Sequence, residues 1–295
     1  MFAIIGIVLV IGAILGGYLM EHGQILVLVQ PAELIIILGA SIGTILIANP
    51  AATIKKLAGG LAGVFGSDLR SKEFYLENLK MLYDLFNHAR KNGLPKLESD
   101  MDNPQKSAVF SKYPKFLKDH HAVNFLCDTL RMFISGGVEP LDLDQLMELD
   151  MEVHHQESHD PVNALTSTAD ALPGLGIVAA VLGVVITMGA LGGPPEEIGK
   201  KVAAALVGTF LGILLCYGFF GPMAAKMSRN LDSEARYYNV LRLGIMAFCK
   251  GSAPILAVEF ARRGVPAGVR PKFQELENLC RGGGKTTTAK PATAA

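Results

Sequence analysis

Four long stretches of the sequence carry almost no charge. Residues 1–20, 172–195 and 202–225 have no acidic or basic side chain, and 32–48 has one, Glu33, near its start. At a rise of about 1.5 Å per residue, each stretch is long enough to cross a hydrocarbon layer about 30 Å thick. The sequence therefore predicts an all-α integral membrane protein with four transmembrane helices.

The first stretch could instead be a cleaved signal peptide. Such a peptide has basic residues ahead of its apolar run and a polar mature chain after its cleavage site. No Lys or Arg precedes the run here, and more apolar sequence follows it. We therefore expect this stretch to be retained as a span.

Basic residues close to the ends of spans indicate how the chain crosses the membrane. The chain has 27 basic residues, and all except Lys200 and Lys201 lie between the second and third spans or after the fourth. We expect both termini and these two regions in the cytoplasm, with two short loops outside. The four cysteines form no C-x-x-C pair, which fits a reducing compartment and argues against a disulfide or zinc framework.

The regions between and after the spans have helical patterns. "SKEFYLENLKMLYDLFNHARKNG" has amphipathic spacing, with Ser71 as N-cap and Gly93 where a left-handed C-cap belongs. "AVNFLCDTLRMFISGG" predicts a second helix that ends at the glycine pair 136–137, and "DLDQLMELDMEVHHQESHD" a third that ends near its histidines. We find no alternation typical of strands.

These patterns divide the chain into five regions. We expect spans one and two in 1–50, a cytoplasmic helical domain in 51–170, spans three and four in 171–222, a cytoplasmic C-terminal helical region in 223–281, and a disordered tail in 282–295.

Residue types that support catalysis or cofactor binding are not arranged for either role. His154, His155 and His159 suggest a metal site, but no second ligand helix is evident and their polar neighbours indicate solvent. No glycine-rich nucleotide-binding motif is present, and the spans pair neither Ser with His nor two carboxylates. We therefore expect no enzyme, no metal site, no cofactor and no nucleic-acid partner.

Small residues recur on the span helices at spacings that let helix backbones approach closely. They are Gly12 and Gly16, Gly39 and Gly43, Gly176, Ala179, Ala180, Gly183 and Thr187, and Ala205, Gly208, Thr209, Gly212 and Cys216. For spans one and two we predict packing among the chain's own helices. For spans three and four, the composition equally allows a face that lines a pore or a partner's helix.

Two of these segments, "ADALPGLGIVAAVLGVVITMG" and "VGTFLGILLCYGFFGPMA", closely resemble the third and fourth spans of the MotA family, the larger stator subunits of the bacterial flagellar motor. The resemblance extends to "QPAELIIILGASIG", "HARKNGLPKLESD" and "APILAVEFARRGVP". It implies an inner-membrane, ion-conducting stator subunit that generates torque for motility and chemotaxis.

The resemblance also implies partners. MotB would supply the intramembrane Asp and the peptidoglycan anchor, FliG would be the rotor switch protein, and copies of this chain would form a ring in the lipid, expected to be a pentamer around a MotB dimer. The third span would then lack ionisable groups because the partner provides the one that binds the proton.

Individual residues match family positions. Pro173 and Pro222 match prolines linked to conformational change, Thr209 a pore-facing threonine, and Tyr217 a tyrosine near the ion path. Sodium-driven relatives carry a threonine at the position of Ala180. The alanine found here favours protons as the driving ion. From the residues alone, Pro173 would be a first-turn capping proline.

In the loop between spans two and three, Arg90 and Glu98 match the charged pair that the family presents to the rotor. Without the resemblance, both would be solvated surface charges. Two alternatives stay open: a TolQ/ExbB-type energiser of envelope processes, which would have three spans, and a membrane scaffold without ion flow.

Overall fold

The computed structural model describes residues 2–66, 70–189, 192 and 194–282. Of the predicted disordered tail, residues 283–295 lie outside this described part. All regular secondary structure in the described ranges is helical, which confirms the predicted all-α class.

The described chain forms thirteen α-helices, a π-helical segment and three short 3-10 turns. The α-helices are α1 (Phe2–Met20), α2 (Ile25–Leu28), α3 (Pro31–Ala48), α4 (Ala51–Val64), α5 (Lys72–Asn92), α6 (Leu94–Asp102), α7 (Pro114–Leu117), α8 (His120–Ser135), α9 (Pro140–Met188), α10 (Pro195–Leu214), α11 (Gly221–Cys249), α12 (Pro254–Gly264) and α13 (Phe273–Cys280). The π-helix is Leu215–Phe220, between α10 and α11. The 3-10 turns are Pro104–Lys106, Phe110–Lys112 and Ala267–Val269.

Four helical stretches are long and apolar enough to cross a membrane, as predicted. They are Phe2–Met20, Ile25–Ala48, and parts of Pro140–Met188 and Pro195–Cys249. The described chain divides into two compact units, which we name the span unit (residues 1–67 and 156–231) and the loop unit (68–155 and 232–295).

The two long helices correct the sequence prediction. The helix expected to end near His159 continues to Met188, because Val162 and Leu165 pack against α4 and α11 and support the helix beyond the histidines. Pro173 is therefore inside a 49-residue helix, and its interpretation as a first-turn cap is wrong.

Pro222 is the second residue of α11, but it lies inside the continuous helical stretch Pro195–Cys249. It has no N–H to donate to the carbonyl of Gly218, and the π-helix Leu215–Phe220 ends just before α11, which contains it. A π-turn is a known way to accommodate such a missing bond, and such turns are frequent at functional sites.

The span unit packs through two apolar clusters. In one, Ile37 of α3 packs with Ala169, Leu172 and Ala179 of α9 and with Cys216. The other joins α4 to α9 and α11 through Leu57, Val64, Val162, Leu165, Ala224 and Met227. These contacts hold α3 and α4 against the two long helices.

The loop unit has a conventional buried core around α5. Phe86 of α5 stacks on Phe248 of α11 with ring centroids 4.4 Å apart. The buried Tyr237 hydroxyl donates to Asn78 Oδ1 at 2.8 Å. All four cysteines of the chain are free and buried, which agrees with the expected absence of a disulfide framework.

The helix ends of the loop unit are those that the sequence predicts. The Ser71 hydroxyl accepts a bond from the amide of Phe74, and Gly93 ends α5 with a φ of 81°. Gly136 follows α8 with a φ of 72°. These two glycines adopt the left-handed backbone that other residues avoid.

Candidate functional site

The third and fourth spans meet where neither helix has a side chain. A Cβ atom added at Gly212 of α10 would lie 2.6 Å from the carbonyl oxygen of Leu172 and 2.9 Å from Cα of Gly176. One added at Gly176 would lie 2.8 Å from the carbonyl oxygen of Gly208. Since these neighbours are backbone atoms, only glycine allows α9 and α10 to approach this closely.

The same two helices stay close one to two turns further along. A Cβ at Gly183 would lie 2.8 Å from Cβ of Ala205, and one at Gly208 would lie 3.2 Å from Cβ of Ala179. The small-residue faces of spans three and four therefore pack on each other. For these central residues, the structure supports packing within the chain rather than a face that lines a pore or a partner's helix.

Glu33 of α3 reaches into this contact. It is the only acidic residue of residues 32–48 and is 7% exposed. A Cβ at Gly208 would lie 2.6 Å from Glu33 Oε2, and one at Gly183 would lie 3.5 Å from Oε1. Within the described part of the chain, the Glu33 carboxylate makes no hydrogen bond or ion pair, and Oε2 is buried.

A carboxylate in this position is energetically unusual. Glu33 lies in the first turn of α3, so the full cost of an acidic side chain at the centre of a membrane helix, about 2.5 to 3.5 kcal/mol on insertion scales, is an upper bound for it. Its burial without a hydrogen-bond partner is unfavourable for the charged form at any depth. In the sequence, Glu33 stands out only as the single charge of residues 32–48. Its role could have been suspected from the sequence, because an ionisable residue inside a span is by default a candidate functional residue.

The structure brings only some of the predicted ion-path residues close together. The backbone nitrogen of Ala180 lies 3.3 Å from the Cβ position of Gly208, and Thr209 is the next residue of α10; Ala180 and Thr209 are both half-buried. Tyr217 lies two turns beyond Thr209 in the π-helix and is 73% exposed. Thr187 is fully buried and donates to the carbonyl of Gly183 at 2.8 Å.

Pro173 is adjacent to a close approach of α9 and α10, since a Cβ added at Gly212 would lie 2.6 Å from the carbonyl oxygen of Leu172. Proline cannot donate a backbone hydrogen bond, and its ring crowds the carbonyl four residues earlier. Pro222 and the π-helix produce a second irregularity on the fourth span. Both candidate relay prolines thus lie where the helical hydrogen bonding is interrupted.

The glycine pairs of spans one and two do not pack as predicted. An added Cβ at Gly12, Gly16, Gly39 or Gly43 would meet no atom of the described chain within 4 Å. The expectation that they pack against the chain's own helices is therefore wrong, and these faces are left uncovered.

Arg90 and Glu98 are both exposed in the loop unit, on either side of the turn at Gly93. Neither forms an ion pair or a side-chain hydrogen bond with another described residue. Behind them, His88 Nε2 of α5 lies 3.1 Å from Oδ2 of the buried Asp100 of α6. This contact links the two helices that carry the exposed charges.

His154 lies in the loop unit and is not the solvent-exposed residue that its neighbours suggested. Its ring stacks on that of His121 with centroids 3.6 Å apart, and Nε2 lies 3.6 Å from Oε1 of Glu234. Desolvation, and then the neighbouring His154, lower the pKa of His121.

The sequence and the fold of this chain are similar to those of known membrane proteins. Residues 4–93 match the family "Motility protein A N-terminal", and residues 117–239 match the "MotA/TolQ/ExbB proton channel family". Motility protein A of Escherichia coli is 38% identical over 281 residues, which are 95% of each chain. The chain belongs to the motility protein A branch of the MotA/TolQ/ExbB proton channel family.

Other members of this family are similar over nearly the whole chain. Chemotaxis protein LafT of Vibrio parahaemolyticus is 33% identical over 92% of this chain and 96% of its own. A solved structure, described as the flagellar MotAB stator complex from Bacillus subtilis, superposes with a TM-score of 0.72 at 24% identity, covering 91% of this chain and 97% of that one. The structure of MotAB from C. jejuni superposes with a TM-score of 0.73 at 19% identity, covering 90% and 95%.

The match of residues 4–93 also bears on the TolQ/ExbB alternative. The second family includes both kinds of protein, whereas the first covers the N-terminal region of motility protein A alone. Together with four candidate spans, it places the chain among MotA-like proteins rather than TolQ/ExbB-type energisers.

Proposed function

We propose that this chain is the ring-forming stator subunit of a bacterial flagellar motor and that it conducts protons together with a MotB partner. The observation that carries the proposal is the 38% identity to a motility protein A over 95% of both chains. Support for the partner comes from the related structures, both described as MotAB.

The subunit lies in the bacterial inner membrane with both termini in the cytoplasm. Residues 51–170 and 223–281 form its cytoplasmic regions, and 171–222 line the ion path. The uncovered glycine faces of spans one and two suit close contact with neighbouring helices, either of lipid-embedded copies in a pentameric ring or of the MotB dimer that the ring surrounds.

Proton movement would act through the partner's carboxylate. A proton neutralises the Asp that MotB supplies beside Ala180 and Thr209, and the neutral form packs differently against spans three and four. Pro173 and Pro222 transmit that change because helical hydrogen bonding is already interrupted at both positions. Tyr217 is exposed on the fourth span and available to the same path.

The energy available limits the size of each step. One charge that crosses 100 mV releases about 2.3 kcal/mol, which biases a two-state equilibrium about fortyfold. Complete reversal of an equilibrium from 1:99 to 99:1 needs about 5.5 kcal/mol. We therefore expect modest steps that bias motion rather than a large switch for each proton.

Torque would be delivered at Arg90 and Glu98. Both are exposed and unpaired within the described chain, so they are free to meet complementary charges on the rotor protein FliG. Exposed ion pairs contribute only about 0 to 1 kcal/mol, which suits a contact that forms and releases at every step.

Ala180 selects the ion. A dehydrated sodium ion needs oxygen ligands, and alanine offers no side-chain oxygen at this position. Replacing sodium with potassium at fixed pH should leave swimming speed unchanged, whereas a speed that follows sodium concentration would contradict proton coupling.

Co-purification tests the assembly. The chain should be isolated with a one-span partner that carries an intramembrane aspartate, and the mass of the complex should show five copies of this chain around two of the partner. Recovery of the chain without any such partner, under conditions that preserve related complexes, would contradict the proposal.

A further inference from the structure

The third and fourth spans enclose a carboxylate that the proposed mechanism does not use. Glu33 is 7% exposed, its Oε2 atom is buried without a hydrogen-bond partner among the described residues, and it points between two glycines. Those glycines, Gly183 of α9 and Gly208 of α10, would contact the two carboxylate oxygens if they had side chains. We call this arrangement the Glu33 cradle.

We infer that Glu33 is a proton-binding site of this chain itself, which takes up and releases protons beside the proposed ion path. The link to that path rests on the function proposed above. The site differs from the partner's Asp in one respect: its carboxyl group is carried by the ring-forming chain, so each copy would bring its own.

The cradle is shaped for this carboxyl group. At Gly208, a methyl group would lie 2.6 Å from Oε2, far inside van der Waals contact, so glycine leaves the space that the carboxyl group occupies. An ionised group without a partner is strongly disfavoured in such surroundings, and uptake of a proton removes the charge. The protonated carboxyl group is therefore the form that the cradle accommodates at rest.

The surroundings point to a proton rather than a metal cation. Biological metal cations that prefer oxygen ligands require several of them. Among the described residues, Glu33 belongs to no group of three or more His, Cys, Asp or Glu side chains that could hold a metal ion. Its single carboxyl group supplies too few ligands for a cation.

The cradle lies at the level of the proposed path. The Gly208 position that contacts Oε2 is 3.3 Å from the nitrogen of Ala180, and Thr209 is the next residue of α10. Ala180 and Thr209 are half-buried, so part of each side chain is accessible from outside the described chain. A proton released from Glu33 thus leaves next to the two residues that would face the partner's carboxyl group.

Infrared difference spectroscopy of the purified chain without any partner tests the site directly. At about pH 6, exposed carboxyl groups, whose pKa is near 4.3, are ionised, so a protonated-carboxyl carbonyl band reports a buried group. We expect that band in the wild-type chain, its loss in Glu33→Gln, and its decrease as the pH is raised. The exposed Glu197 of α10 provides the control, and Glu197→Gln should keep the band.

Equal bands in the wild type and Glu33→Gln, or a band that does not change with pH, would overturn the inference. If Glu33→Gln did not accumulate in membranes, Glu33→Asp would replace it, since it keeps the acid and withdraws it by one methylene. A band that persists at a shifted frequency supports the site, and an unshifted band contradicts it.

Proton flux with the partner present tests the link to the path. Removing a proton-transfer group should slow flux on the order of a hundredfold, by analogy with positioned acids and bases. If proton flux were unchanged in Glu33→Gln, Glu33 would not take part in proton transfer along the proposed path. If even the wild-type complex failed to conduct, the proposed function would be wrong, while the infrared result on the isolated chain would still decide the site.

Discussion

At the scale of single residues, exposure and pairing distinguish the charges that hold the fold from those available to a partner. Arg242, for example, bonds Asp144 at 2.6 Å and Glu148 at 3.2 Å within the loop unit. Arg90 and Glu98 have no such partners among the described residues and lie at the surface. Their contribution to stability is therefore small, and their effect should appear in interaction with other molecules.

Reversing the charge of Arg90 should reduce torque without unfolding the chain. We expect Arg90→Glu to accumulate normally, to slow swimming, and to regain speed when a complementary charge on the rotor is reversed. Lys250→Glu, at an exposed basic residue elsewhere in the loop unit, is the control and should swim normally. If no rotor reversal restored speed, Arg90 would be an ordinary solvated residue.

His121 should make the chain less stable in mild acid. Desolvation, followed by the charge of His154, lowers the pKa of His121 from 6.5, while Asp150, Asp119 and Glu234 oppose the shift. The unfolded chain therefore binds the proton more tightly, and stability is lost as the pH falls below about 6.5.

The measurement is thermal unfolding of the detergent-solubilised chain at about pH 7.5 and 5.5. His121→Phe keeps an aromatic ring for the stack and should show a smaller fall in Tm than the wild type. His120→Phe, at the exposed neighbour, should behave like the wild type. An equal fall in all three would show that His121 does not set this dependence.

Residues with local roles were predictable from the sequence, and those with roles set by packing were not. Ser71 and Gly93 act through their own backbone neighbours, so spacing alone identified them. The burial of Glu33 depends on Gly183 and Gly208, which are 150 or more positions away in the chain. No local pattern contains that information.

At the scale of elements, the contact between α9 and α10 determines how the span unit packs. Gly212→Ala would place a methyl group 2.6 Å from the carbonyl oxygen of Leu172 and 2.9 Å from Cα of Gly176. Backbone atoms cannot move aside as side chains do, so we expect a loss of about 1 to 3 kcal/mol.

The control for this substitution lies on α9, in the turn between Leu172 and Gly176 that Gly212 faces. Gly174→Ala meets no atom of the described chain within 4 Å and should leave the chain as stable or slightly more stable. Thermal unfolding of both variants in detergent provides the measurement. Equal Tm values would mean that α9 and α10 do not pack through Gly212.

Pro173 should matter for movement more than for folding. Pro173→Ala restores a backbone donor to α9, so we expect normal assembly with lost swimming, because the helix no longer yields beside its contact with α10. Pro161→Ala, at the other proline in the interior of the same helix, is the control and should swim. Swimming by Pro173→Ala would show that the relay lies elsewhere.

Element type was predictable, but the ends of the long helices were not. The amphipathic spacing of α5 and the glycine after α8 gave correct helices with nearly correct ends. The proline pattern at 173 suggested a new start, yet α9 continues through it because packing against α3 and α10 supports the helix on both sides of the proline. Tertiary contacts thus override a local signal.

At the scale of the whole molecule, several faces of the spans are not covered by the rest of the described chain. The glycines of spans one and two and many apolar residues of span three, such as Val181 and Val185, are uncovered within the described chain. The number of spans could be predicted from the four uncharged stretches of the sequence. The molecules that cover these faces could not be predicted in this way, because they are not part of the chain. The proposal that a MotB partner and further copies of this chain cover these faces comes from the family to which the chain belongs.

The most direct test of the account is proton uptake by cells that express the chain with and without its proposed one-span partner. Cytoplasmic pH should fall on expression of both proteins, stay constant with the chain alone, and stay constant when the partner's intramembrane aspartate is replaced by asparagine. Equal acidification by the chain alone would contradict the account, as would no acidification by the pair.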